Sequence, residues 1–172
     1  MEIKNLAELY DAPPMEWEQV RAGLDRAFAP GADEHGYIGW LTTINPDGSP
    51  HTTSVGVAWE DGAFWFQTGR NRKTRNIARD ARCSMARQLP ELDLTVEGTA
   101  VEVTDPRSVS RLARHWADRG WPAEPDETGT ALTAPYNAQS TGPGPWHVYR
   151  IDLTSAFAVM KVEPYGATRW RF

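Results

Sequence analysis

Residues 37–69 carry the strongest constraint on the fold: three runs rich in β-branched and aromatic residues, separated by two compact turn signals. Asn45-Pro46-Asp47-Gly48 and Glu60-Asp61-Gly62 supply the residue types that tight reversals need. The spacing predicts consecutive antiparallel strands near 37–44, 51–59 and 63–69. In the middle run the odd positions (His51, Thr53, Val55, Val57, Trp59) are bulky and the even ones (Thr52, Ser54, Gly56, Ala58) are small. Successive strand side chains point to opposite faces, so one face of this strand is shallow. A packed helix and a flat ligand approaching the backbone each suit such a face.

Directly after the third run the chain becomes strongly basic. Arg70, Arg72, Lys73, Arg75 and Arg79 fall within residues 70–79, with no acid among them, although the whole chain has a net charge of −5. Asn71 is placed to cap a short helix through about residue 80, with Ile77 as its buried contact. Helix N-termini present unpaired N–H groups and partial positive charge, which favour anions. Thr68 adds a hydroxyl, Gly69 allows close backbone approach, and Arg72 and Lys73 add charge. A solvated basic face would have the same composition. The concentration at a strand-to-helix junction favours a phosphate-bearing ligand.

The rest of the chain frames this segment. Residues 15–28 put Trp17, Val20, Leu24 and Phe28 on one helical face, between Pro13-Pro14 and Pro30-Gly31, and a polar loop follows over 31–36. Strands are expected at 81–88 and 92–104, with Gly98 allowing a bend or bulge. Thr104-Asp105-Pro106 opens a helix with the stripe Val109, Leu112, Ala113 and Trp116, closed by Gly120. Residues 121–145 read as a long loop, a candidate lid, in which Trp121 and Tyr136 are the aromatic groups best placed for a substrate. Two strands, 146–153 and 155–162, and a short final one complete seven or eight strands with three helices. Trp40, Trp59 and Trp65 are expected in the core, and His115 and Trp116 as ordinary helix residues. One antiparallel β-barrel with peripheral helices closes such a set, as a single domain over 1–172 with 1–36 as an N-terminal helix and loop.

Composition excludes several classes. The chain has 172 residues, 40% hydrophobic and 24% charged, as expected of a globular domain with a real core. No apolar run is long enough to span a membrane. The acidic balance argues against general nucleic-acid binding. A single cysteine, Cys83, excludes an internal disulfide and suits a reducing cytoplasm, where it is expected as a small buried hydrophobe. Four scattered histidines give no metal-ligand spacing. Ser54 and His51 have no G-x-S-x-G or triad context, so a hydrolase is not indicated.

The order PDGSPHTTSV, EDG, FWFQT, RNRKTRNI, followed later by PWHVYRI and ATRWRF, resembles the pyridoxamine 5′-phosphate oxidase-like flavin-binding split barrels. Within them it is most similar to the actinobacterial branch that uses the deazaflavin F420. The resemblance implies a mostly β, antiparallel split barrel with peripheral helices. It implies a cofactor phosphate held by Thr68, Arg72 and Lys73 with Asn76 nearby, and a ring system lined by His51, Thr53, Ser54 and Val55. The shallow-face argument independently adds Gly56 beside Ser54, and the close-approach argument adds Gly69. The resemblance further implies a homodimer with cofactor sites at the subunit interface, to which Arg87 and Trp146 are candidate contributors across subunits. The substrate-phosphate pattern of the true pyridoxamine-phosphate oxidases is missing, so vitamin B6 oxidation is not expected. Five basic groups exceed what one phosphate requires and favour F420, with its acidic tail, over FMN. The expected activity is hydride transfer between reduced F420 and a small unsaturated substrate; the alternatives are an FMN enzyme and a non-catalytic carrier of the same cofactor.

Overall fold

The computed structural model describes residues 1–29, 31–32, 37–136 and 142–172. The three expected strands form a meander of β2 (Ile38–Ile44), β3 (Pro50–Glu60) and β4 (Ala63–Thr68), each antiparallel to the next. Gly48 and Gly62 take positive φ at the two turns, where a side chain would be strained. Preceding them are β1 (Glu2–Asn5), a short 3-10 turn at Glu8–Tyr10, and the amphipathic helix α1 (Trp17–Ala27). The helix α2 (Arg72–Arg79) follows β4. Then come β5 (Arg82–Gln88), β6 (Leu92–Val103), α3 (Pro106–Ala117), β7 (Glu124–Pro125), β8 (Ala131–Thr133), β9 (Trp146–Met160) and β10 (Ala167–Arg171). The polar loop expected over 31–36 falls mostly outside the described residues.

The strands β9, β4, β3, β2, β5 and β6 pair in that order, and β6 returns to β9. Every pairing is antiparallel, and the ring closes into a six-stranded split barrel. Closure removes the exposed edges that an open sheet would leave. The inward positions of β3, Val55, Val57 and Trp59, are buried with Phe64, Phe66, Met85, Leu94 and Ile151. Helix α1 seals this core with Trp17, Val20 and Leu24. Outside the barrel, α3 packs Val109, Leu112, Ala113 and Trp116 against Ala58 and Trp65, forming a second apolar cluster.

Four expectations are corrected. The segments 146–153 and 155–162 are one strand, β9, rather than two. Thr154 is the extra residue opposite the step from Glu97 to Gly98, and its hydroxyl bonds Glu97 O at 3.2 Å. The change of alternation is therefore a bulge within a strand, which also bends the barrel wall. Gly98 is required there, because a Cβ would lie 2.2 Å from Asp152 O. Residues 121–145 are less loop-like than their composition suggests, since β7 and β8 form a hairpin against β9. With β1, which carries no alternation of its own and pairs with β10, the sheet holds ten strands among the described residues instead of seven or eight. Trp40 is 47% exposed rather than in the core, whereas Trp59 and Trp65 are buried.

Candidate functional site

At the end of β4 the chain turns outward through Thr68, Gly69 and Arg70 into α2. Thr68 and Gly69 are buried, and so is Lys73, in the first turn of the helix. Lys73 Nζ donates to Thr68 Oγ1 at 3.2 Å, and Asn71 Nδ2 donates to the same oxygen at 2.8 Å. Asn71 sits at the N-cap as expected, but its side-chain amide goes to Thr68, while its backbone N–H goes to Thr74 Oγ1 at 2.9 Å. Asn71 Oδ1 is left without a partner. Asn76 Nδ2 reaches back to Thr43 Oγ1 at 3.1 Å and Asn45 Oδ1 at 3.2 Å, tying α2 to the end of β2. Thr43 and Asn45 hold the corner in place; sequence reading missed them, although the turn signal at Asn45 marks the point of contact.

Among the described residues the buried charge at this corner has no acidic partner. Lys73 is 6% exposed, and among the described residues no carboxylate lies in ion-pair range of it. Burial pulls its ammonium below the ordinary lysine value. One hydrogen bond to a hydroxyl is little for a buried group with several N–H donors. Arg72, Arg75 and Arg79 are exposed and fall at helical spacings of three and four, so they line one face of α2 for about 10 Å. Arg79 differs from the other two: its guanidinium bonds Ile44 O and lies beside Asp47 and Asp80. Asp80 itself is held down to about 2, mainly by Arg82.

The ring-lining candidates lie on both faces of β3. Thr52 and Ser54 are exposed on the outer face, opposite Thr42 and Trp40 of β2. Gly56 continues that face under α3, where a Cβ would meet Gln67 Nε2 and the Trp116 ring at 3.5 Å. Gln67 Oε1 in turn accepts from Trp116 Nε1 at 2.9 Å, which fixes the edge of the shelf. The bulky positions point the other way. Val55 is in the barrel core, so its backbone is what reaches the outer face. Thr53 is half-buried with an unpartnered Oγ1, and His51 is half-buried near the α2 end.

Two candidates sit elsewhere in the protomer. Arg87 lies four residues along β5 from Cys83, which pairs with Thr43, so it is at the far end of the strand from α2. Trp146 is buried beside the end of β4, donating to Gly142 O at 3.2 Å. Trp121 packs between Trp116 and Trp146 at ring separations of 5.8 and 5.4 Å, which makes it a packing residue. Tyr136 is 49% exposed, and residues 137–141 of the expected lid lie outside the described residues. His115 is more than an ordinary helix residue: it is buried and bonds Glu60 through Nδ1 at 2.7 Å, clasping α3 to the end of β3. Among the described residues no acid or histidine cluster could hold a metal, and no helix is long and apolar enough to cross a membrane.

The family model described as pyridoxamine 5′-phosphate oxidase matches residues 33–159. The chain belongs to that family. The match spans the barrel from the start of the meander to the end of β9 and contains both the shelf and the α2 corner. Solved structures of the same fold include PhzG from Burkholderia lata, in complex with tetrahydrophenazine-1-carboxylic acid. It is 15% identical over 95% of this chain and 90% of that one, with a TM-score of 0.61. A conserved hypothetical protein from Mycobacterium tuberculosis is 24% identical over 85% and 84%, with a TM-score of 0.57. A pyridoxamine 5′-phosphate oxidase-related, FMN-binding protein from Nostoc punctiforme is 16% identical over 89% and 88%, with a TM-score of 0.56. At these identities the likeness is one of fold. No curated protein matches the chain.

Proposed function

We propose that this member of the family is an F420-dependent oxidoreductase, a homodimer whose α2 corner holds the cofactor phosphate and whose β3 outer face carries the ring. The observation that carries the reading is the buried Lys73 ammonium, bonded to Thr68 and facing no carboxylate among the described residues. A buried cation of this kind is stabilised when a phosphate supplies the missing charge and accepts its free N–H groups. Gly69 lets the backbone come close, and the first turn of α2 adds its N–H groups and dipole.

The chemistry supplied by the bound deazaflavin is hydride transfer; the protein binds and orients. Thr52, Ser54 and Gly56 give a flat, small-residue surface, and the Gln67–Trp116 pair limits how far a ring can slide toward α3. Asn76, held by Thr43 and Asn45, keeps α2 at a fixed distance from that surface. The substrate is a small unsaturated organic molecule lying over the open side of the ring.

The tail of the cofactor separates F420 from FMN. The Thr68–Lys73 corner alone satisfies one terminal phosphate, and FMN would fit it. Arg72 and Arg75, exposed along one face from that corner, are left unexplained by FMN and suit a polyacidic extension. Arg79, already engaged with Ile44 O, contributes less. The test is direct titration of the purified protein with F420 and with FMN. Tight F420 binding without FMN binding supports the proposal, and a yellow, flavin-loaded preparation overturns the F420 assignment. Binding of reduced F420 without turnover of a panel of enones and quinones would make the protein a carrier.

A further inference from the structure

A cleft of roughly 580 Å³ opens at the end of the barrel remote from α2, between α1, β2 and the β5–β6 turn. Its walls are mainly apolar: Gly23 and Ala27 of α1, Ile38 and Trp40 of β2, and Leu89, with Arg87 among them. Gly23 and Ala27 are one helical turn apart, and a Cβ at Gly23 would meet its nearest atom, Leu89 Cδ1, at 3.9 Å. Glycine inside a helix costs about 0.5–1 kcal/mol relative to alanine, so local structure gives no reason for it here.

Of the polar residues lining the cleft, Arg87 is the buried one. It is 4% exposed, and its guanidinium lies 4.2 Å over the Phe28 ring. It donates to Ile38 O at 3.2 Å, and its Nε has no partner. Burial brings its pKa down to about 10. The other cations at the rim are matched: Arg26 with Glu91 at 3.4 Å and Lys161 with Asp93 at 3.2 Å. Among the described residues no carboxylate pairs with Arg87. The cleft therefore joins an apolar volume of ligand size to one buried, oriented positive charge that no carboxylate among the described residues compensates.

We infer that this cleft is a second binding site, for a small aromatic or apolar monoanion whose carboxylate meets Arg87. A planar guanidinium held against Phe28 is pre-organised for a carboxylate. Trp40 and the space over Gly23 take the apolar body. The site is independent of which cofactor the α2 corner holds.

Calorimetric titration of the full-length protein with naphthoate, and with its neutral analogue naphthalenemethanol, tests this. Naphthoate should bind one per chain, and Arg87→Met should weaken it about ten- to hundredfold, the scale of a charge-assisted hydrogen bond. Naphthalenemethanol should bind wild type weakly and be indifferent to that change. Gly23→Leu, which fills the cleft without touching Arg87, should abolish both and keeps the test decisive if Arg87→Met does not fold. The inference fails if wild type does not bind naphthoate, or if binding survives Gly23→Leu. It also fails if Lys73→Met rather than Arg87→Met removes binding, which would place the anion at the α2 corner. Gly23→Leu changing the oligomeric state while naphthoate still binds would give the cleft to a second copy of the chain, and the inference falls.

Discussion

Replacing Lys73 by methionine separates a binding role from a supporting one, because the two move stability and affinity in opposite directions. Methionine keeps most of the apolar stem and removes the ammonium. In the free protein the change loses one hydrogen bond to Thr68 Oγ1, which still receives Asn71 Nδ2; that loss is worth about 1 kcal/mol. It also removes a buried charge with no counter-ion, whose desolvation costs on the order of several kcal/mol. The second quantity is larger, so the free variant should melt no lower than wild type. A gain of about 1 kcal/mol would raise Tm by roughly 2–4 °C in a domain of this size. Affinity for a phosphate-bearing cofactor should fall about ten- to hundredfold. Burial lowers the folded pKa below the ordinary lysine value of 10.5, so the unfolded chain holds this proton more tightly. Wild-type stability should then rise with pH between the folded value and 10.5, a rise absent from the variant. Cofactor affinity should decline over the same approach to the folded value, as the ammonium is lost. Melting curves and calorimetry on the two proteins give both numbers. A variant that melts several degrees lower and binds cofactor unchanged would refute the reasoning.

Arg72→Ala and Arg75→Ala should each weaken F420 by up to about fivefold, the scale of an exposed ion pair, and less at high salt. The same changes should leave FMN affinity nearly unaltered, and Arg79→Ala should affect neither cofactor, as competitive titrations at two salt concentrations would show. Gly98→Ala forces a Cβ against Asp152 O and should cost about 1–3 kcal/mol or more, seen as a lower urea midpoint at constant slope. Burial pushes the Cys83 thiol up to about 12; it should resist a thiol reagent at pH 8 in the native protein and react on unfolding.

The meander was legible because its signals are local: alternation within β3 and fixed turn chemistry at both ends. The bulky and shallow faces of β3 emerged as expected, since side-chain period in a strand is independent of what packs there. β9 was misread for the opposite reason. Its alternation breaks at Thr154, and whether a break ends a strand or bulges it depends on the partner β6, distant in sequence. β1 was missed because its residues are exposed and gain their pairing from β10. At the site, the basic segment located the corner, but composition treated five cations alike. The fold sorts them into one buried ammonium, two exposed guanidiniums along a helix face, one tethered to Ile44 O, and Arg70 at the turn. Trp40 defeated the rule that strand tryptophans are core, because its face of β2 lies outside the barrel.

β9 lies between β4 and β6 and also takes up β10 and the β8 hairpin. Until these fifteen residues arrive, β4 and β6 have no common neighbour, and the barrel is an open ribbon. Such pairings have high contact order and form slowly. During synthesis the two waiting edges are templates for another chain. Changes on β9 should therefore register first as lost soluble yield and as demand for chaperones, in proteins that, once folded, melt close to wild type.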